Sequence, residues 1–291
     1  MRLIIVSGLS GSGKSVALNM LEDLGYYCID NLPVKLVDNV VANAKQSSDP
    51  SNQKIAIGID ARNRAEDIAG LPELIGDLKK SNIDCDTIFI HAGDGVLLNR
   101  YSETRRRHPL SDDTTGLREA ISLEQKILAT VRNAADLVLD TTRTSVHQLR
   151  EIVRQRVDQR EAGRMSLLFQ SFGYKHGIPG DADYVFDVRC LPNPHWEPAL
   201  RDLTGLDQEV IKFLESQESV GRMLGEIDNL LQTWLPEFVR ENRNYLTVAI
   251  GCTGGRHRSV YICENLASRF SDEYQSVLTR HNEITEDQTT A

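Results

Sequence analysis

Two periodicities divide the chain. Short apolar runs, Leu3–Val6, Tyr27–Ile29, Ile55–Ile59, Thr87–His91 and Leu137–Leu139, read as buried strands. Between them apolar residues recur at helical spacing, predicting helices over Lys14–Leu24, Val34–Ala44, Pro72–Lys80, Val96–Tyr101, Leu117–Asn133 and Val146–Arg160. In the first, Ala17, Leu18, Leu21 and Leu24 share one face, as a crossover helix requires. Strand and helix in strict turn predict an α/β fold, a parallel sheet with helices on both faces.

The pattern then changes. Arg150–Arg164 has helical period, carries Arg150, Arg154, Arg156, Arg160 and Arg164, and lacks an apolar cluster. It reads as a solvated connecting helix with a domain boundary near residue 163, giving domains 1–163 and 164–291. The second part, a smaller α/β domain, offers strands at Ser166–Ser171, Tyr184–Val188 and Leu246–Ile250. Its helices are expected over Gln208–Glu215, Val220–Phe238 and Ser259–Phe270. Trp234, among Ile227, Leu230, Leu231 and Leu235, is expected in the core.

Composition narrows the classes. A chain of 291 residues, 40% hydrophobic and 26% charged, can bury two ordinary cores. A net charge of −9 excludes a general basic coat for nucleic acid but not a local patch. No apolar run approaches the roughly 18 residues of a membrane span, and the apolar start is too short for a signal-peptide core. Five cysteines without a CxxC pair argue against a disulfide framework or zinc cluster. The expected location is cytoplasmic.

The first chemical candidate is Gly8-Leu9-Ser10-Gly11-Ser12-Gly13-Lys14-Ser15, which matches GxxxxGK[ST] between a strand and a helix. Its backbone N–H groups would face a β-phosphate at a helix N-terminus, Lys14 would neutralise β/γ oxygens, and Ser15 would ligate Mg²⁺. An acid at a neighbouring strand end should hold the magnesium water shell. Asp30, Asp60 and Asp140 qualify, and each can equally cap a turn. Asp60 is favoured because Asp60-Ala61-Arg62-Asn63 adds a cation and an amide at the carboxyl edge of the sheet, where α/β ligands bind. Arg105-Arg106-Arg107-His108-Pro109 is similar to the arginine-bearing lid of small P-loop kinases, with Arg105 and Arg107 placed to clamp phosphate; a solvated charge run reads equally well.

The second candidate is Gly251-Cys252-Thr253-Gly254-Gly255-Arg256-His257-Arg258-Ser259, again between strand and helix. Glycines and amides at a helix N-terminus beside two arginines and a histidine make an anion nest. Cys252 to Arg258 is also the C-x5-R spacing of cysteine phosphatases, but Gly251 stands where those enzymes carry histidine and no acid loop is evident. His195-Trp196, framed by Pro192, Pro194 and Pro198, suits a preorganised binding loop. Asp187 and Arg189 end a strand as paired charges and join the sugar-phosphate and RNA-binding candidates, although a surface ion pair is an adequate reading.

The P-loop together with YCIDNLP (27–33), YSETRRRHPL (101–110), FGYKHGIP (172–179), ADYVFDVR (182–189), LPNPHW (191–196) and VAIGCTGGRHRSVY (248–261) closely resembles the RapZ/YvcJ family over nearly the whole chain. The resemblance implies a P-loop NTPase-like N-terminal domain that binds ATP at Gly8–Ser15 and GTP at Asp60–Asn63, with weak hydrolysis. It implies a C-terminal domain that senses glucosamine-6-phosphate, with His195, Cys252, Thr253, Gly254, Gly255, His257 and Arg258 on the anion and RNA surface. In family members that domain grips small regulatory RNA and presents it to an endoribonuclease, and the chain is a homo-oligomer, a tetramer in RapZ. Two departures stand out. Where RapZ ends in a basic tail, residues 271–291 hold Asp272, Glu273, Glu283, Glu286 and Asp287 against Arg280, which should weaken RNA contacts. His91 ends a strand where relatives tend to carry an acid, leaving the magnesium role to Asp60 or Asp30. A small-molecule P-loop kinase is the leading alternative, and a cysteine phosphatase a third.

Overall fold

The computed structural model describes residues 1–46, 53–158 and 165–284, and the chain divides into two compact units, Met1–Gln159 and Arg160–Ala291. In the first unit the order is β1 (Arg2–Gly8), α1 (Lys14–Asp23), β2 (Tyr27–Ile29), α2 (Val37–Gln46), β3 (Lys54–Ile59), α3 (Ala65–Ala69), α4 (Leu71–Lys80), β4 (Asp84–His91), α5 (Asp94–Thr104), α6 (Leu117–Ala134), β5 (Leu137–Asp140) and α7 (Val146–Val153). The strands form one parallel sheet in the order β2-β3-β1-β4-β5. β1 lies between β3 and β4, so the chain's direction of progress across the sheet reverses there, and ligands gather at the carboxyl edge of such a crevice.

Burial on both faces explains the continuous apolar strands. Leu3, Ile5, Ile55 and Ile57 pack against Val37 and Val41 of α2, Leu71, Ile75 and Leu78 of α4, and Leu128 and Val131 of α6. Ile4 and Val6 on the other face are equally buried. α1 turns Ala17, Leu18 and Leu21 inward, as its pattern predicts.

The second unit contains β6 (Ser166–Gly173), β7 (Tyr184–Asp187), α8 (Gln208–Glu215), α9 (Glu218–Arg240), β8 (Tyr245–Cys252), α10 (Arg258–Phe270) and β9 (Ser276–His281). Its parallel sheet runs β7-β8-β6-β9. Leu167, Phe169, Val248 and Ile250 pack with Val210 and Leu214 of α8, Leu224, Ile227 and Leu231 of α9, and Ile262 and Leu266 of α10.

Four expectations need correction. Trp234 is 52% exposed: the buried stripe of α9 is Val220, Leu224, Ile227, Leu231 and Leu235, and Trp234 lies one residue, about 100°, off it. The connecting stretch is not simply solvated, because α7 stops at Val153 and a π-turn over Arg154–Asp158 buries Arg156 and Val157; Arg160 and Arg164 lie outside the described residues. The segment after 271 is not a bare tail, since Ser276–His281 adds β9 alongside β6; Glu286 and Asp287 lie outside the described residues. Finally, the short α3 escaped the periodicity, having only Ile68 buried. Among the described residues no helix is long and apolar enough to cross a membrane.

Candidate functional site

The loop joining β1 to α1 is built by glycine. A Cβ on Gly8 would fall 2.0 Å from the Ile90 carbonyl oxygen, so only glycine lets β1 run this close to β4. Gly13, the N-cap of α1, has φ 115°, a conformation that favours glycine. The loop is held by Leu9 N–H donating to Ile90 O at 3.0 Å and Ser12 N–H to Leu9 O at 3.0 Å. Lys14 Nζ donates to Gly8 O at 2.7 Å. Burial pushes the Lys14 ammonium below the usual lysine range, although Glu124, Asp60 and Asp30 pull it upward.

The loop opens into a cavity of about 670 Å³ whose wall includes Ser10 to Ser15, Asp30, Asp60, Arg62, Arg100, Arg106 and Arg107. Of the favoured motif, Asp60 and Arg62 face this cavity while Ala61 is buried. Asp60 accepts from Arg62 Nη2 at 2.6 Å, from Nε at 3.0 and 3.1 Å, and from the Arg62 N–H at 3.0 Å. Burial alone would raise this carboxyl; the hydrogen bonds from Arg62 and the charge of Lys14 outweigh it and hold it below its ordinary value. Asn63 serves the scaffold. Its Oδ1 accepts the Val34 N–H at 2.9 Å, which docks the segment after β2 against the Asp60 turn. That docking brings Asp30 to the same wall, and Gly58 makes room for it: a Cβ there would lie 2.5 Å from Asp30 Oδ1. Asp140 behaves as a turn cap, accepting the Thr142 N–H at 2.8 Å.

The arginine segment is divided. Arg106 and Arg107 line the cavity, whereas Arg105 is the C-cap of α5 at φ 51° and is not on the cavity wall. His91 contributes its backbone: its carbonyl accepts the Thr141 N–H at 2.8 Å.

Three residues that hold the loop were not legible as site residues. Glu124, fully buried on α6, accepts the Ser10 N–H at 2.8 Å and the Ser10 hydroxyl at 2.6 Å. Its Oε2 also lies 3.1 Å from His108 Nε2. Burial would raise the Glu124 carboxyl, yet His108, Ser10 and Lys14 together hold it below the usual range. Arg100 donates to Gly11 O at 3.0 Å and to Thr141 O at 2.7 Å. The Thr141 hydroxyl donates to Ser12 O at 2.7 Å. Carbonyls on the loop are thus tied backward and the Leu9, Ser10 and Ser12 amides are engaged in shaping it, an arrangement that leaves the amides from Gly13 onward, at the start of α1, to face an anion.

As for magnesium, Ser15 stands at the start of α1 on the cavity wall with Asp30 and Asp60 nearby. Both Asp60 oxygens already bind Arg62, so this acid suits a contact through water. One hydroxyl plus such outer contacts fits an ion held chiefly by phosphate oxygens and water.

In the second unit, β8 ends at Cys252 and α10 starts at Arg258. The carboxyl ends of β6, β7 and β8 converge on the turn between them. Lys175 N–H donates to Thr253 O at 3.3 Å, Val188 N–H to Gly251 O at 2.9 Å and Gly205 N–H to Arg256 O at 2.8 Å. Arg258 is 3% exposed; its Nη1 donates to Arg189 O and Leu191 O, both at 2.9 Å, and Nη2 to Thr253 Oγ1 at 3.3 Å. Asp187 and Arg189 form an exposed ion pair at 2.6 Å, and Arg189 also lies 3.9 Å over the Tyr174 ring. His195, exposed with Trp196, places its ring 6.5 Å from that of His257, so the proline-framed loop and the glycine turn meet.

Comparison with known proteins follows the same division. Residues 1–161 match the family described as the RapZ-like N-terminal domain and residues 165–285 the RapZ C-terminal domain. A protein of Alkalilimnicola ehrlichii named "Nucleotide-binding protein" is 54% identical over 283 residues, covering 97% of this chain and 98% of its own. A likewise named protein of Methylococcus capsulatus is 53% identical over 286 residues, covering 98% and 97%. Among solved structures, shikimate kinase from Bacteroides thetaiotaomicron superposes with a TM-score of 0.37 at 14% identity, over 54% of this chain and 97% of its own. With both domain types matched in order and half its residues shared with full-length relatives, the chain belongs to the RapZ family.

Proposed function

We propose that this protein binds nucleoside triphosphate with Mg²⁺ at Gly8–Ser15, hydrolyses it slowly, and senses a sugar phosphate at the turn Cys252–Arg258. The observation that carries the first half is the preformed phosphate loop: its carbonyls are tied back by Arg100, Thr141 and Lys14 above a cavity lined by Arg62, Arg106 and Arg107. Arg106 and Arg107 are the cations placed to meet transferring phosphate, in preference to Arg105. Use of GTP at Asp60–Asn63, glucosamine-6-phosphate as the sugar phosphate, small RNA with an endoribonuclease as partners, and tetramer assembly rest on family membership. Calorimetry with Mg-ATP, Mg-GTP, glucosamine-6-phosphate and a structured small RNA tests each separately. Transfer of phosphate to a small-molecule acceptor at about 1–100 s⁻¹ would instead establish a kinase.

At the second site Arg258→Lys keeps a cation but loses the planar fork that can grip carbonyls and an anion together. Glucosamine-6-phosphate binding is expected to weaken about thirtyfold, near 2 kcal/mol. A change of less than about threefold in the titration would place the ligand elsewhere.

RNA contact is expected to be weak near physiological salt, because acids outnumber the single arginine after residue 271. Substituting four lysines within residues 285–291 should steepen the slope of log affinity against log salt by roughly three, at about 0.7–0.9 per phosphate contact. A salt titration of both forms decides this; an unchanged slope would shift the RNA contacts to the cations of the folded domain.

A further inference from the structure

The turn after β8 holds a thiol that sugar-phosphate binding does not explain. We propose that Cys252 is a nucleophilic thiolate at the floor of the anion nest, that hydroperoxides oxidise it to a sulfenate, and that oxidation and anion binding exclude one another. This rests on the reading of the turn as an anion site.

The geometry is specific to this cysteine. Cys252 is 2% exposed, yet its Sγ accepts the Gly255 N–H at 3.1 Å and lies 3.2 Å from Ser259 Oγ. The turn opens the 13-residue helix α10, whose amide end favours a negative charge. The other buried thiols lack such partners: burial pushes Cys85 up to about 12 and Cys263 well above the ordinary value. Burial would raise Cys252 as well, but hydrogen bonds from Ser259 and the Gly255 amide, with the charge of Arg258, turn the balance downward.

A second observation points to a ligand directly above the sulfur. Arg258 commits Nη1 to two carbonyls, while its Nε is buried without an acceptor. Nε and Nη2 form one edge of the guanidinium, and Nη2 reaches Thr253 within the turn. That edge is a donor pair awaiting an anion.

The chemistry follows from what surrounds the nest. Among the described residues, Asp187 at its rim is tied to Arg189 at 2.6 Å and Glu283 to the His176 ring at 3.1 Å. Neither offers a proton to an alcohol leaving group, so the C-x5-R spacing is not accompanied by the parts for phosphate-ester hydrolysis. A hydroperoxide needs no such acid. The Sγ lone pair attacks one peroxide oxygen, the S–O bond forms and the O–O bond breaks. Sulfur is oxidised by two electrons, and the displaced hydroxide, or alkoxide from an organic hydroperoxide, takes the proton of the nascent sulfenic acid, leaving sulfenate and water or the alcohol. The new oxygen occupies the space above Sγ that an anion's oxygen would fill.

The test uses the full-length protein carrying Cys190→Ser and Cys28→Ser, which removes the exposed and half-buried thiols. It is treated with hydrogen peroxide, trapped with dimedone and mapped by mass spectrometry. Adduct at Cys252 is expected at least about tenfold faster than at Cys85 or Cys263. Inorganic phosphate should slow it at least about fivefold, Ser259→Ala should slow it further, and thiol reductant should reverse the oxidation before trapping. In parallel, calorimetry with inorganic phosphate on reduced and oxidised protein should show binding only to the reduced form. Phosphate binding to reduced protein without preferential Cys252 oxidation would overturn the thiolate proposal while leaving the anion site standing. Fast oxidation with no phosphate binding would overturn the mutual exclusion and the anion-site reading together.

Discussion

Lys14→Ala is expected to lose Mg-ATP binding by more than a hundredfold, about 3 kcal/mol or more, without loss of folded stability. The ammonium sits at the rim of the phosphate loop, 2.7 Å from Gly8 O, where it can swing to β/γ oxygens as a charge-assisted donor. Truncation removes that donor and leaves the loop's amides, fixed by Leu9, Ser12 and their backbone partners, in place. The apo protein should tolerate the change because the lysine is held at a cost. Burial lowers its ammonium below the ordinary 10.5, so between the lowered value and 10.5 the folded protein binds fewer protons than the unfolded chain. Stability contributed by this group therefore rises with pH from the lowered value toward 10.5, and below that interval the charged form carries the full cost of burial. Melting temperatures from pH 6 to 9 should be equal or higher for Lys14→Ala than for the parent, with a shallower rise. An ATP affinity within tenfold of the parent would remove Lys14 from the phosphate site; a large drop in melting temperature would show that its contact with Gly8 is structural.

How much of this was legible depends on whether function resides in local sequence. The phosphate loop could be read at once, because a tight turn between strand and helix demands glycine and lysine at fixed offsets. Alternation of apolar runs and helical periods likewise announced the first parallel sheet, since strands covered on both faces are apolar throughout; the second unit read only as α/β, and its edge strand β9, half-buried and polar, carries no such run. Asp60–Arg62 was visible as an i, i+2 pair at a strand end, but Asn63 turned out to dock the Val34 segment, a role no spacing reveals. Arg105 and Arg106 are neighbours with the same chemistry. Only the left-handed C-cap of α5 decides that the second, not the first, lines the cavity. Trp234 misled because an apolar helix was treated as apolar all round, when its stripe is narrow.

The largest omission, Glu124, suggests the most consequential stability test. It lies in the middle of α6, 114 residues from Ser10 and with no motif around it, so nothing local distinguishes it from a solvated helix acid. Folding buries it completely and gives it three donors: the Ser10 amide, the Ser10 hydroxyl and His108. Glu124→Ala would leave those groups buried and unpaired around a hole, a loss of about 3–5 kcal/mol. Glu124→Gln keeps the volume and one carbonyl acceptor but must turn an amide N–H₂ toward a donor, so an intermediate loss is expected. The sign with pH follows from the carboxyl's lowered value. Its stabilisation is present above the ordinary 4.5 of an unfolded glutamate and is lost as pH falls through the lower folded value. Urea unfolding at neutral pH should thus separate parent and Glu124→Ala widely, and the gap should narrow on acidification. Because Ser10 is part of the phosphate loop and His108 follows Arg106 and Arg107, the same variant should also weaken Mg-ATP binding, by displacing both the loop and the arginine segment. Equal stability of the two proteins at neutral pH would mean that water replaces the carboxylate at no cost, and Glu124 would then have no part in shaping the site.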